Sequence, residues 1–238
     1  MARDPRLQKL RNMDPIIGTF TARELVSTPD FVNQVYLEHA ETHMSLGNTS
    51  NYVTTLLRWA RTNKGTVVGA VAGKYGYGKT STAIHLWHQC ERARVVAVPP
   101  FEWHRLQDII DATWSWVHYR LEKLQPEAAA QLDSIYERYR EKSVQEFADE
   151  ERMGVSRVQD LLERGKIHLH SRPEDVIDFL SEVSQLLESD DLRLCGPVVF
   201  TDELQVTMSR YMARKRSRDE FMQDLFELLN PLINLEGS

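Results

Sequence analysis

The segment that most restricts what this chain can fold into is Gly73, Lys74, Tyr75, Gly76, Tyr77, Gly78, Lys79 and Thr80, with Ser81 directly behind it. Glycines at 73, 76 and 78 allow the backbone to curl so that successive N–H groups point inward around an anion. The flanks add to the constraint. Residues 66–72, Thr-Val-Val-Gly-Ala-Val-Ala, are short, small and apolar, as a buried parallel strand should be. Residues 81–92 predict a helix, whose N-terminus would add partial positive charge at the loop. A second buried strand is expected over residues 94–98, stopped by Pro99-Pro100. Strand, loop, helix and strand make a right-handed βαβ unit with parallel strands, so the fold class is α/β.

The loop fits G-x-x-x-x-G-K-[ST], a pattern that chance produces in about 1% of chains this long at average residue usage. Its setting between strand and helix is the one the pattern requires. In such a loop Lys79 reaches the β- and γ-phosphates of a nucleotide as a point charge, and the Thr80 hydroxyl is offered to Mg²⁺. A second apolar run, Pro197, Val198, Val199 and Phe200, leads through Thr201 to the carboxylates Asp202 and Glu203. Asp202 is the candidate Mg²⁺ ligand. Glu203 is the candidate general base, able to polarise an attacking water. Two acids at a strand end also occur as plain helix caps; the loop upstream favours the catalytic assignment.

With both motifs in hand, residues 73–80 resemble a Walker A motif and residues 198–203 a Walker B motif with an adjacent catalytic glutamate. Together they resemble the P-loop ATPases that carry an additional strand between these motifs, the group that includes AAA+ and STAND proteins. The resemblance spans residues 65–205. It implies a P-loop NTPase with a parallel sheet flanked by helices, ATP and Mg²⁺ as cofactors, and ATP hydrolysis coupled to assembly or motion of a larger complex. The runs Val-Pro-Pro-Phe-Glu-Trp and Phe-Thr-Asp-Glu-Leu-Gln further resemble large ATPases of prokaryotic phage-defence systems such as BREX and DNA-phosphorothioation modules. Two departures stand out. The motifs lie far apart, so residues 127–191 are expected to form a helical insertion. The group's later strands, with a polar sensor residue, have no counterpart after Glu203, which suggests the front part of a longer module or a minimal form. A nucleotide-dependent switch with little hydrolysis is the alternative this leaves open. A GTPase is disfavoured, since Asn63-Lys64 precedes the loop and is followed by Gly65-Thr66 instead of a guanine-reading motif.

The resulting division is an N-terminal helical segment over 1–62, the first part of the core over 63–126, the insertion over 127–191, and the acidic strand with its following helices over 192–238. Residues 1–20 are expected to be a loosely packed start. Helices are expected over 21–61, with Thr28 and Asp30 as candidate N-caps around Pro29, and from Trp103 to Lys123, where Pro126 breaks the pattern. Trp103, Trp114, Trp116 and Tyr119 recur at helical spacing and read as core before a base-stacking platform. His85 and His88 read as packing or surface residues, and His168 and His170 as a solvated loop without a third metal ligand.

Composition narrows the partners. The 238-residue chain carries a formal net charge of −6, against the basic balance usual in nucleic-acid-binding domains. Arg210, Arg214, Lys215, Arg216 and Arg218 are the one basic run, a solvated face or a contact to nucleic acid or a partner. Protein partners or a homo-oligomer are expected. No apolar run approaches the roughly 18 residues that span a membrane, and the charged N-terminus lacks a signal-like apolar core. A cytoplasmic location is therefore expected, with Cys90 and Cys195 as reduced thiols.

Overall fold

The computed structural model describes residues 19–42, 53–58, 78–164 and 166–202. Within them lie α1 (Ala22–Ser27), α2 (Pro29–Thr42), α3 (Lys79–Arg92), β1 (Val95–Phe101), α4 (Leu106–Leu124), α5 (Pro126–Tyr139), α6 (Val144–Glu150), α7 (Val155–Glu163), α8 (Pro173–Leu187) and β2 (Cys195–Thr201). Residues 53–58 are also helical, and Leu56 and Leu57 pack against the core. The expected strand at 66–72, the glycine-rich residues 73–77, Glu203 and the basic run at 210–218 lie outside the described residues. Among the described residues no helix is long and apolar enough to cross a membrane.

Among the described residues the architecture is mixed: a two-stranded parallel sheet flanked by helices. Every residue of β1 is buried, matching its continuous apolar run, whereas β2 is half-buried. The ladder pairs Val95 with Cys195, Ala97 with Val198, Val98 with Val199 and Phe101 with Thr201. The double proline does not end β1, as the sequence suggested; the strand continues to Phe101. Pro99 and Pro100 fall in an irregular stretch of the ladder, between the Val98 and Phe101 pairings, where their missing N–H groups break no regular pairing. The Pro100 carbonyl instead accepts the Tyr36 hydroxyl at 2.8 Å.

Helix α3 lies on β1, and its Trp87 is fully buried. The indole N–H of Trp87 donates to the Ala97 carbonyl at 3.1 Å. Its ring meets Trp116 of α4 edge-on at 5.8 Å and Tyr36 of α2 at 6.1 Å. Trp103 and Trp116 are core, while Trp114 stacks on Tyr136 of α5 at 4.4 Å, so these aromatic residues serve packing. Glu91, near the end of α3, pairs with Arg120 at 2.6 Å. Burial raises its carboxyl above the ordinary range, against the pull of the guanidinium.

Residues 127–191 run through α5 to α8; the apolar faces of α5 and α8 join the same core as the sheet, whereas α6 and α7 pack on each other. Val176, Phe179, Val183 and Leu187 form a buried stripe at helical spacing on α8, which packs on both α5 and β2. Helix α4 stops at Leu124, and Pro126 occupies the first position of α5, where a missing N–H costs nothing. The first-turn residues differ from expectation at two caps. Thr28 stands at the N-cap of α2, its carbonyl accepting the Val32 N–H at 3.1 Å, but its hydroxyl donates back to the Glu24 carbonyl at 2.9 Å and closes α1. Asp30 accepts from Tyr119 at 2.6 Å and Lys123 at 3.3 Å, tying α2 to α4. The side-chain cap that does form is Thr21 with Glu24, a reciprocal box at the start of α1.

Gly196 lies at φ +122, where L side chains are strained, and a Cβ there would meet the Val96 carbonyl oxygen at 2.4 Å. Gly196→Ala should destabilise the chain by about 2–3 kcal/mol, read as a lower urea midpoint. Asp111 gives a pH-dependent case. Burial raises its carboxyl, while donors from Gln107 at 2.6 Å and Tyr136 at 2.9 Å pull it down. The net shift is upward, so the stability from Asp111 is complete below the ordinary value of 3.8 and is lost as pH rises through the higher folded value. Both donors reach the same oxygen, Oδ1, which asparagine retains. Asp111→Asn should therefore raise the urea midpoint at pH 7, with a gain that fades toward pH 3.8.

Candidate functional site

In a parallel sheet both strands finish at the same edge, so the residues after them meet there. Asp202 follows β2, and its backbone N–H extends the sheet by donating to the Phe101 carbonyl at 3.0 Å. Helix α3 begins beside that edge. Gly78 precedes it in the left-handed conformation, φ +73, which glycine adopts without the Cβ penalty of other residues. Its carbonyl accepts both the backbone N–H and the hydroxyl of Thr82 at 2.9 Å, securing the first turn. Lys79, Thr80 and Ser81 are the first three residues of α3, where the orphan N–H groups and the helix dipole favour negative charge.

Thr80 and Asp202 come together. The Thr80 hydroxyl donates to Asp202 Oδ2 at 2.5 Å, across 122 residues of sequence. A second hydroxyl, that of Thr19, donates to the same oxygen at 2.8 Å. No sequence pattern singles out Thr19, which falls within the segment expected to be loosely packed. Residues 19–22 instead run beside the end of β1. Thr21 forms a parallel bridge with Glu102, the Glu102 N–H donates to the Phe20 carbonyl at 2.8 Å, and the Ala22 N–H donates to the Glu102 carbonyl at 3.0 Å. Tyr36 joins the pieces. Its buried hydroxyl accepts the Phe20 N–H at 3.3 Å while donating to Pro100. Burial raises the Tyr36 phenol, which keeps it a donor throughout the physiological range.

The donor set fits a small divalent cation. Mg²⁺ takes hard oxygen ligands at about 2.0–2.1 Å and is commonly held by one or two protein oxygens, with phosphate and water completing the shell. Neighbouring ligand oxygens in an octahedron then lie about 2.9 Å apart. The Thr80 and Asp202 oxygens need to part by only a few tenths of an ångström to reach that spacing. Among the described residues no group of three or more His, Cys, Asp or Glu could hold a metal. His168 and His170 lie in an exposed or half-exposed loop. Cys90 is buried, with its thiol pushed up to about 12, and is chemically quiet. Cys195 is also a free thiol.

No family model, no curated protein and no solved structure matches this chain.

Tyr36→Phe keeps the ring packing but leaves the Pro100 carbonyl and the Phe20 N–H without their partner. The loss should be about 1–3 kcal/mol, measured by urea unfolding, with faster amide exchange at Phe20.

Proposed function

We propose that this chain is an ATP-binding module of the P-loop type that hydrolyses ATP in the presence of Mg²⁺. The observation that carries the proposal is the hydrogen bond from Thr80 to Asp202. Two residues singled out from separate motifs, one as hydroxyl and one as carboxylate ligand of the same ion, lie in direct contact. A pair of unrelated surface features would have no reason to converge. The parallel sheet supports the reading as well, because ligands of α/β folds bind beyond the carboxyl ends of the strands.

Within this proposal Lys79 pairs its ammonium with the β- and γ-phosphates, and the amides at the start of α3 hold phosphate oxygen. On the sequence pattern alone, the glycine-rich residues 73–77, outside the described residues, would complete the cradle. Thr80 and Asp202 would hold Mg²⁺. That ion, when bound, neutralises charge on the phosphate oxygens. Glu203, one residue beyond Asp202, accepts a proton from water as the water oxygen bonds to the γ-phosphorus and the bond to the β-phosphate oxygen breaks. The products are ADP and inorganic phosphate. Positioning and electrostatics, not covalent chemistry by the protein, then account for the rate.

The sequence resemblance to additional-strand ATPases supports coupling of the nucleotide state to assembly or motion of a larger complex, and the resemblance of two short runs to phage-defence ATPases favours antiviral defence as its setting. Lys79→Ala should weaken ATP binding about 10- to 100-fold, the worth of a charge-assisted contact. Glu203→Gln should bind ATP as the wild type does and release phosphate about 10²- to 10⁴-fold more slowly. Calorimetry with ATP and Mg²⁺ and a phosphate-release assay check the two. Normal phosphate release by Glu203→Gln would remove Glu203 as the base. Tight ATP binding with no release by the wild type would mark a nucleotide switch instead.

A further inference from the structure

Asp202 Oδ2 accepts two hydroxyl donors with different attachments. Thr80 belongs to α3 and is itself a candidate cation ligand. Thr19 belongs to the strap over residues 19–22 and is fixed from outside the site. The strap is held by Glu102 through backbone bonds of 2.8 and 3.0 Å and by the Tyr36 hydroxyl at 3.3 Å. Phe20 adds edge-on ring contacts with Tyr36 at 5.2 Å and Phe31 at 6.0 Å. A threonine that merely filled surface space would not need this anchorage at the end of a fully buried strand.

Resting on the reading of the site as one for Mg²⁺ and nucleotide, we propose that Thr19 is a positioning residue whose hydroxyl orients the Asp202 carboxylate and so sets the divalent-cation concentration at which the site takes nucleotide. Thr80 cannot give its oxygen to a cation shared with Asp202 and keep its proton on the line between them. Thr19 lies outside that pair and can go on donating to Oδ2. It supplies a restraint that keeps the carboxylate from turning when Thr80 lets go. A hydrogen bond to a metal-ligating side chain commonly changes metal affinity 10- to 100-fold. Because the strap is built on β1 and α2, the cation requirement is tied to how the N-terminal segment seats.

The test uses the full chain. Binding of a fluorescent ATP analogue is followed by anisotropy during Mg²⁺ titration, Mn²⁺ binding without nucleotide by electron paramagnetic resonance, and melting temperature in EDTA. Thr19→Val, which keeps shape and removes the donor, should raise the Mg²⁺ midpoint and weaken Mn²⁺ binding about tenfold. Thr19→Ser should restore the wild-type midpoint. Tyr36→Phe, which leaves every group at the site in place but loosens the strap, should shift the midpoint in the same direction. A Thr19→Val protein with the wild-type Mg²⁺ midpoint overturns the inference, whatever its melting temperature, and reduces Thr19 to a structural contact. That result leaves the nucleotide site standing if the wild type still needs Mg²⁺ to bind the analogue. A wild type that binds neither Mn²⁺ nor the analogue overturns the nucleotide reading and this inference together.

Discussion

The parallel pairing of β1 with β2 is the constraint on which the rest depends. Parallel strands cannot be joined by a tight turn, so the chain must travel away and return before the pair can form. Here it returns through α4 to α8, and the apolar faces of α4, α5 and α8 merge with the core around the sheet. The benefit of that route is geometric. Both strands end at one edge, and Asp202 is delivered to the start of α3 from the far side of a long connection. Anything that shifted the register of β2 would move the carboxylate away from Thr80.

The aromatic core and the polar strap meet at the same edge. Trp87 locks α3 to β1 through the Ala97 carbonyl and packs against Trp116 and Tyr36. Tyr36 then carries that rigidity to the surface, since its ring is buried and its hydroxyl serves both Phe20 and Pro100. A buried hydroxyl that is fully partnered specifies geometry, because every alternative placement leaves polar groups without bonds. The double proline is part of this arrangement. Without N–H groups at 99 and 100 the ladder is irregular there, and the Pro100 carbonyl is available to Tyr36.

Much of the organisation was legible from sequence. The apolar residues 95–98 and 197–200 lie in strands, the stretch after the glycine-rich loop became α3, and Pro126 separated α4 from α5. Periodicity and proline chemistry act locally, so they can be read locally. The extension of β1 past its prolines was not legible, because it depends on which ladder positions are regular. The side-chain partners of Thr28 and Asp30 were not legible for the same kind of reason. As expected caps both are chemically sound, but Thr28 closes the preceding helix and Asp30 is engaged by Tyr119 and Lys123.

At the candidate site the sequence by itself determined the chemistry on offer. A lysine and threonine after a glycine-rich loop, and an aspartate at a strand end, carry their meaning in residue type and spacing. Their meeting was a matter for the tertiary structure, because contact across 122 residues follows from strand register and helix packing. Thr19 belongs entirely to that second level. Nothing in the uncharged run Pro15 to Ala22, which also contains Thr21, distinguishes it. It acquires a role only because Glu102 and Tyr36 draw its segment to the sheet edge where Asp202 ends.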